Sequence, residues 1–269
     1  MKVRELERSL LDRFPVGDAE AWDHVGLSAG DPDDEVRRVA VALDATEGDV
    51  RRAADLGANV LLTHHPVYIS APDAFVPRAG AAPACAAAVY AAIALGVGVI
   101  SLHTNLDRSR EARDLLPALV GLTASASLEH PGEPDRPGLG AVAEAGPGLD
   151  AAELARRCAD AFSTDPRVWG EPDRPVSRAA FLGGSLGHMG GDVVAAGCDA
   201  VVTGEAGYHA AQDLARRGVA VVLLGHDRSE QPFTGILADA ARACGVPAGN
   251  IATIDAPTQW WTLTRGDRA

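Results

Sequence analysis

Short apolar runs recur along the chain, and most are followed by a segment with helical spacing. Arg38 to Leu43 is a β-branched run followed by Asp44. Thr46 is placed to cap the helix after it, with Asp49 in the first turn and Gly57 closing that helix. Asn59 to Thr63 is apolar nearly throughout, the pattern of a strand covered on both faces. Strand, helix and strand make a βαβ unit, whose right-handed crossover sets the two strands parallel.

The unit recurs. A helix from Ala84 to Leu95 ends at Gly96, and the strand Gly98 to Leu102 follows. Further strands are expected over Ala179 to Leu182, Asp199 to Val202 and Val219 to Leu224, with helices over Tyr208 to Arg217 and Glu230 to Ala243. Between the two series, Leu128 to Asp150 is rich in Pro and Gly; it holds one expected strand, Leu139 to Glu144, and leads to a helix from Ala151 to Phe162. The pattern predicts an α/β fold of two lobes, with largely parallel or mixed sheets flanked by helices. The boundary is expected near His130 to Pro137, giving lobes 1–130 and 131–269, with the C-terminal segment free to return to the first lobe. Gln259 to Thr264 reads as a final strand, and the N-terminal stretch to Phe14 as an amphipathic helix.

Composition narrows the function. With 269 residues the chain can bury a sizeable core, but aromatics are only 4%, so packing falls to Ala, Val and Leu. A formal charge of −13 disfavours nucleic acid, whose binding needs a basic surface. No apolar run is long enough to predict a membrane-spanning helix, and the N-terminus lacks the apolar middle of a signal peptide. Cys85, Cys158, Cys198 and Cys244 have no C-x-x-C spacing and read as small hydrophobes in a reducing cytoplasm.

Candidate chemistry collects at strand ends, where open α/β sheets bind ligands. His64 and His65 stand where a strand runs out, and Pro66 stops that strand, so both imidazoles can turn into one crevice. Asp107 follows the next strand; His226 and Glu230 follow a later one, four residues apart and on one face if a helix starts at His226. Imidazole and carboxylate without thiolate suit Zn, Fe or Mn, and five such ligands suit two divalent ions sharing a bridging carboxylate. Taken singly, Asp107 also fits a helix N-cap, Glu230 a first-turn charge and His226 a loop residue. His103 and Asn105 fit roles orienting the ligands or contacting substrate, and Glu205 and His209 fit the same crevice. Arg108, Arg110 and Arg228 are candidate phosphate contacts. The loop Gly183 to Gly191 has the look of a phosphate cradle but lacks a P-loop lysine, and His188 in it reads as a loop residue.

Six motifs in order carry a resemblance: WDHVGL (Trp22 to Leu27), LDAT (Leu43 to Thr46), THHP (Thr63 to Pro66), HTNLD (His103 to Asp107), TGE with YH (Thr203 to Glu205, Tyr208, His209) and GHDRSE (Gly225 to Glu230). Together they resemble the dinuclear-metal family named GTP cyclohydrolase 1 type 2, also called NGG-interacting-factor-three-like proteins. The resemblance implies a two-lobed α/β subunit, a two-metal site between the lobes and a ring-shaped homohexamer. It matches His64, His65, Asp107, His226 and Glu230 to the metal ligands, with Glu230 as the bridging carboxylate. His24 stands where the family usually has Asn, Asp227 where an aromatic is common, and Ala71 to Pro83 lacks the usual lysine-bearing loop.

The expected function is hydrolysis of a nucleotide-like small molecule; the family name implies attack on the guanine ring of GTP, with His103 shuttling the proton. Two other functions use the same ligands. One is a non-catalytic metal-binding scaffold or adaptor, and the other a dinuclear phosphoesterase.

Overall fold

The computed structural model describes residues 1–77, 83–256, 259–261 and 263. Helix α1 (Val3–Arg13) leads to β1 (Gly26–Ala29), β2 (Val39–Ala42), α2 (Glu47–Asp55), β3 (Val60–Thr63), α3 (Ala84–Leu95) and β4 (Gly98–Ser101). Then come α4 (Thr104–Asp107), α5 (Arg110–Leu119), β5 (Thr123–Ala126), β6 (Ala141–Glu144), α6 (Ala151–Phe162) and β7 (Arg167–Trp169). The chain continues through β8 (Arg178–Phe181), α7 (Gly190–Ala195), β9 (Ala200–Thr203), α8 (Tyr208–Arg216), β10 (Ala220–Leu223), α9 (His226–Glu230), α10 (Phe233–Ala243) and β11 (Ile251–Thr253).

Two mixed sheets result. The first has the order β1-β4-β3-β2-β11, parallel except for β1. The second has the order β5-β6-β8-β9-β10-β7, with β8, β9 and β10 parallel and the outer strands antiparallel. β5 belongs to the second sheet although it precedes His130, and β11 returns to the first.

Strand alternation divides the core into layers. Val39, Val41, Val60 and Leu62 face one way, and Ala179, Phe181, Val202 and Val222 face them from the second sheet. Residues of α1, α5, α6 and α10 fill the space between, so one core joins the two sheets. Ala40, Leu61 and Val99 face outward onto α2 and α3, while Ala180, Val201 and Val221 face α7 and α8. Strands covered on both faces lose the alternation seen in half-solvated ones, which is why they read as continuous apolar runs.

Thr46 caps α2, accepting from Asp49 N at 3.1 Å, and Gly96 ends α3 in the left-handed region as expected. Two expectations fail. The helix expected over Glu230 to Ala243 is broken: α9 ends at Glu230 and α10 begins after Pro232, which has no N–H to continue the ladder. The strand expected over Gln259 to Thr264 is absent from its described residues; Gln259 and Trp260 instead hydrogen-bond Asp44 and Asp227 through their side chains. Thr262 and Thr264 of that stretch lie outside the described residues.

Candidate metal centre

The carboxyl ends of β3, β4 and β10 deliver the imidazoles and carboxylates to one place. His64 and His65 follow β3 directly, their rings 5.2 Å apart, and both enter the same crevice. His65 N bonds Leu43 O, and the Thr63 and Ser101 hydroxyls bond His65 O, so the backbone has left the pleat where Pro66 ends it. Asp107 closes the short helix α4 after β4. It does not cap the next helix; Ser109 does, accepting from Ala112 N. His226 and Glu230 open and close α9, and helical spacing sets His226 Nε2 3.2 Å from Glu230 Oε2.

The two oxygens of Glu230 face different partners. Oε1 lies 3.7 Å from His64 Nε2, which is itself 3.6 Å from Asp107 Oδ1. Oε2 lies 2.8 Å from His65 Nε2 and also meets His226. Two ligand groups therefore share Glu230: His64, Asp107 and Glu230 in one, His65, His226 and Glu230 in the other, with ligand atoms within 4.8 Å in each.

The donor set fits cations. His64 is fully buried, and its Nδ1 is 3.0 Å from the Leu102 carbonyl, which can only accept. Nδ1 therefore donates, which leaves Nε2 as the ring atom able to offer a lone pair to a cation. That Nε2 has no hydrogen-bond partner among the described residues and is aimed at two carboxylates. A buried acceptor facing acceptors is costly unless a positive charge lies between them.

The other two imidazoles among the ligand candidates are also held from behind. Asp44 takes His65 Nδ1 at 2.7 Å, and Glu205 takes His226 Nδ1 at 3.0 Å, the outer contacts that orient metal-binding imidazoles. Burial works against a charged His65, but hydrogen bonds to Asp44 and Glu230 prevail and raise its pKa to about 10. The hydrogen bond to Glu230 raises His226 to about 9 against partial burial. Burial pushes the Asp107 carboxyl up, and the charge of Glu230 adds to that shift. Glu230 is buried too, yet bonds from His226 and the neighbouring histidines hold it well below the ordinary carboxylate range.

Glycines make the room. The loop at Gly183 to Gly191 was a candidate phosphate cradle, but it presses against the carboxylate instead. A Cβ on Gly184 would meet Glu230 Oε1 at 2.3 Å, and one on Gly183 would meet Phe233 at 2.8 Å. Gly184 N donates to Ser229 Oγ, which in turn donates to the His226 carbonyl, so the loop is tied to α9. The helix after it, α7, is only one short segment from Gly190 to Ala195.

His103 stands beside both histidines, with ring centroids 5.3 Å from His64 and 5.7 Å from His65. Its Nδ1 bonds Asp23 Oδ1 at 2.9 Å, which leaves Nε2 for the cavity that His103 lines. Asp23 was missed as a site residue, although it lies in the WDHVGL motif. Its side chain is fully covered; burial raises its pKa, but bonds from His103 and Thr104 outweigh that and hold it well below the usual range. Asp44 was missed as well; it lies two residues beyond β2, and its role depends on His65 arriving from the neighbouring strand.

Other candidates do not join the cluster. Asn105 turns away to the Phe14 carbonyl, and His209 packs edge-on to Tyr208. His24 packs against Tyr68. His188 is exposed at the rim of the cavity. That cavity, of about 580 Å³, has Asp107, His226 and Glu230 in its wall, together with Trp22, Leu182 and Met189.

Two mixed α/β sheets whose strand ends gather histidines and carboxylates around one shared glutamate define a class of α/β protein equipped to hold metal. Within that class, residues 1–255 match the family described as Duf34/NIF3 (NGG1p interacting factor 3), and the chain belongs to it. A Streptomyces coelicolor relative, named GTP cyclohydrolase 1 type 2 homolog, is 32% identical over 239 residues, covering 86% of this chain and 82% of its own. A Clostridium perfringens relative of the same name is 26% identical over 234 residues, covering 86% and 88%. Among solved structures, a Staphylococcus aureus hypothetical protein aligns with a TM-score of 0.87 at 23% identity, over 98% of this chain and 99% of that one. A Bacillus cereus protein related to NIF3 gives 0.83 at 19% identity, over 98% and 99%.

Proposed function

We propose that the protein is a dinuclear-metal hydrolase acting on a nucleotide-like small molecule, with His64, His65, Asp107, His226 and Glu230 as ligands. The observation that carries this reading is Glu230, whose two oxygens face two separate ligand groups. Two divalent ions of the Zn, Fe or Mn kind, when bound there, supply Lewis acidity for hydrolysis. Asp44 and Glu205 fix the ring orientations of His65 and His226. Asp23 fixes His103 so that Nε2 faces the cavity, where it can hold or pass a proton at the reacting group.

A cavity of about 580 Å³ reaching the ligands supports substrate access and weighs against a purely structural scaffold. The same reading places the chain in the cytoplasm as a homohexamer, with the second lobe starting at β5, a few residues ahead of the expected boundary at His130 to Pro137. Among the described residues all four cysteines are free and no helix is long and apolar enough to cross a membrane. Tyr90, Ile93 and Leu95 leave an apolar strip on α3 exposed, as an assembly interface requires. The test is elemental analysis after reconstitution with Zn, Mn and Fe, followed by a turnover screen of nucleotides and phosphodiesters. About two ions per subunit and turnover dependent on them are expected. One ion or none rejects the dinuclear centre; two ions without any turnover across the screen rejects the hydrolase. Native mass spectrometry should show six subunits.

A further inference from the structure

Two cavities approach the cluster from different sides, and they differ in charge. The one lined by Trp22 and Met189 contains Glu20, Asp107 and Glu230 and has no arginine or lysine in its described wall. An anionic group entering there would face those three carboxylates, and the only basic side chains in the wall are imidazoles, with no guanidinium to fork onto an oxyanion.

The other side is different. Of the arginines singled out in the sequence, Arg108 is locked between Glu20 at 2.6 Å and Glu129 at 3.2 Å, and Arg110 pairs with Asp135. The Arg228 and Arg167 guanidiniums have no ion pair or hydrogen bond among the described residues, although the Arg167 backbone belongs to the β7–β10 ladder. Arg167 opens β7 opposite Leu223 of β10, and Arg228 lies in α9 just beyond β10, so both emerge at the carboxyl end of the same strand. They line one cavity of about 680 Å³. It shares Glu205, Asp227, Gln259 and Trp260 with a smaller cavity of about 380 Å³, which reaches Asp44, His65 and His226. The cavity of the guanidiniums thus adjoins the one that reaches the candidate ligands.

Trp260 forms the wall between them. Its indole Nε1 donates to Asp227 Oδ1 at 3.2 Å, and its ring packs on Gly225, where a Cβ would come within 3.2 Å. Gly225 has φ +96, so a side chain there is disfavoured twice over. The indole is held in place while 48% of the residue stays exposed. Gln259 donates to Asp44, the same carboxylate that orients His65. Asp165, Glu205 and Asp227 also lie in this wall; Glu205 and Asp227 each already accept a hydrogen bond, from His226 and Trp260 respectively, while Asp165 stands at its exposed edge.

We propose that this cavity is the anion-holding arm of the site: Arg167 and Arg228 take the phosphate or carboxylate of a planar nitrogen heterocycle whose ring lies against Trp260. The assignment rests on the metal-centre reading for its setting, but the arm binds its anion through guanidiniums and needs no metal to do so. An aromatic face supplies stacking that tolerates different rings, while the arginine forks supply geometry for the oxyanion.

Isothermal titration of the full chain, stripped with chelator and again loaded with Mn, tests the arm with GMP, guanosine, orotate and inorganic pyrophosphate as probes. GMP and pyrophosphate should bind both forms, with guanosine about tenfold weaker or worse. The Arg167→Ala/Arg228→Ala double variant should weaken GMP by about tenfold or more while metal content and thermal midpoint stay at the wild-type values. Trp260→Ala should weaken GMP and leave pyrophosphate unchanged. Orotate distinguishes a carboxylate ligand from a phosphate one; binding of either kind that is lost in the double variant supports the arm. Equal GMP affinity in wild type and double variant overturns it, as does failure of GMP, orotate and pyrophosphate alike. Anion binding without metal uptake would sink the metal reading alone, and metal uptake without anion binding would sink the arm alone.

Discussion

Replacing Gly184 by alanine should damage metal uptake far more than it damages the fold. The residue has φ +57, and a Cβ there would stand 2.3 Å from Glu230 Oε1 and 3.1 Å from His226 Cε1. An alanine in the left-handed region costs roughly 1–2 kcal/mol. Ordinary Cβ contact begins near 3.4 Å, so the carboxylate oxygen has to retreat by about 1 Å, more than the roughly 0.5 Å a binding constellation tolerates. Glu230 serves both ligand groups, so both should suffer. A loss of about 10–100-fold in Zn affinity is expected, the range seen when contacts that orient ligands are removed. Gly187→Ala is the matched control: φ is +52, so the backbone cost is similar, but nothing lies within 4 Å of the added carbon. Each variant should lower the thermal midpoint by roughly 2–8 °C from the backbone cost alone. Competitive titration with a chromophoric chelator, alongside thermal melts of the metal-free proteins, separates the effects. If both variants bind Zn with equal affinity, Glu230 is not held where its two oxygens divide the ligands, and the reasoning fails.

Glu230→Ala should abolish both metal positions, Asp107→Ala should weaken one, and His188→Ala neither; anomalous scattering from crystals of each variant reads this directly. Metal loading should release protons, because His65 at about 10 and His226 at about 9 hold theirs at neutral pH in the metal-free chain. Raised folded pKa values mean that metal competes with protons across the neutral range, so apparent affinity should climb from pH 6 to pH 9; affinity independent of pH would contradict it. Cys158 and Cys198, both buried with thiols pushed up to about 12, should resist a thiol reagent in the native state and react fully on unfolding, as mass spectrometry of the labelled sites would show.

The parallel strands were legible because β2, β3 and β9 are buried on both faces, which leaves nearly uninterrupted apolar letters. The strands that escaped notice, Gly26–Ala29, Thr123–Ala126, Arg167–Trp169 and Ile251–Thr253, sit at or beside sheet edges, are partly exposed and are three or four residues long. Nothing in their composition separates them from loops; they are strands because a neighbour offers hydrogen bonds. The convergence of His64, His65, Asp107, His226 and Glu230 was readable from their common place at strand ends. Asp23 and Asp44 became significant only once the fold set them behind His103 and His65, contacts that span 80 and 21 residues of chain, and Glu205, placed near the crevice by its strand end, gained its role only against His226. The glycines of the Gly183 loop were visible as glycines, but their purpose was not, since their neighbour is a carboxylate from another element.

The return of β11 to the first sheet has a consequence for how the protein is made. β2 is buried along its whole length, and β11 pairs with it from Ile251 to Thr253. Until that pairing forms, one margin of β2 is a row of open backbone donors and acceptors on an apolar strand, the template on which chains associate wrongly. β11 leaves the ribosome about 200 residues after β2, so the margin stays open for roughly 10–40 s of synthesis. A chain cut short before Ile251 would retain every candidate metal ligand and never close that margin, so it should aggregate even where its metal ligands are intact.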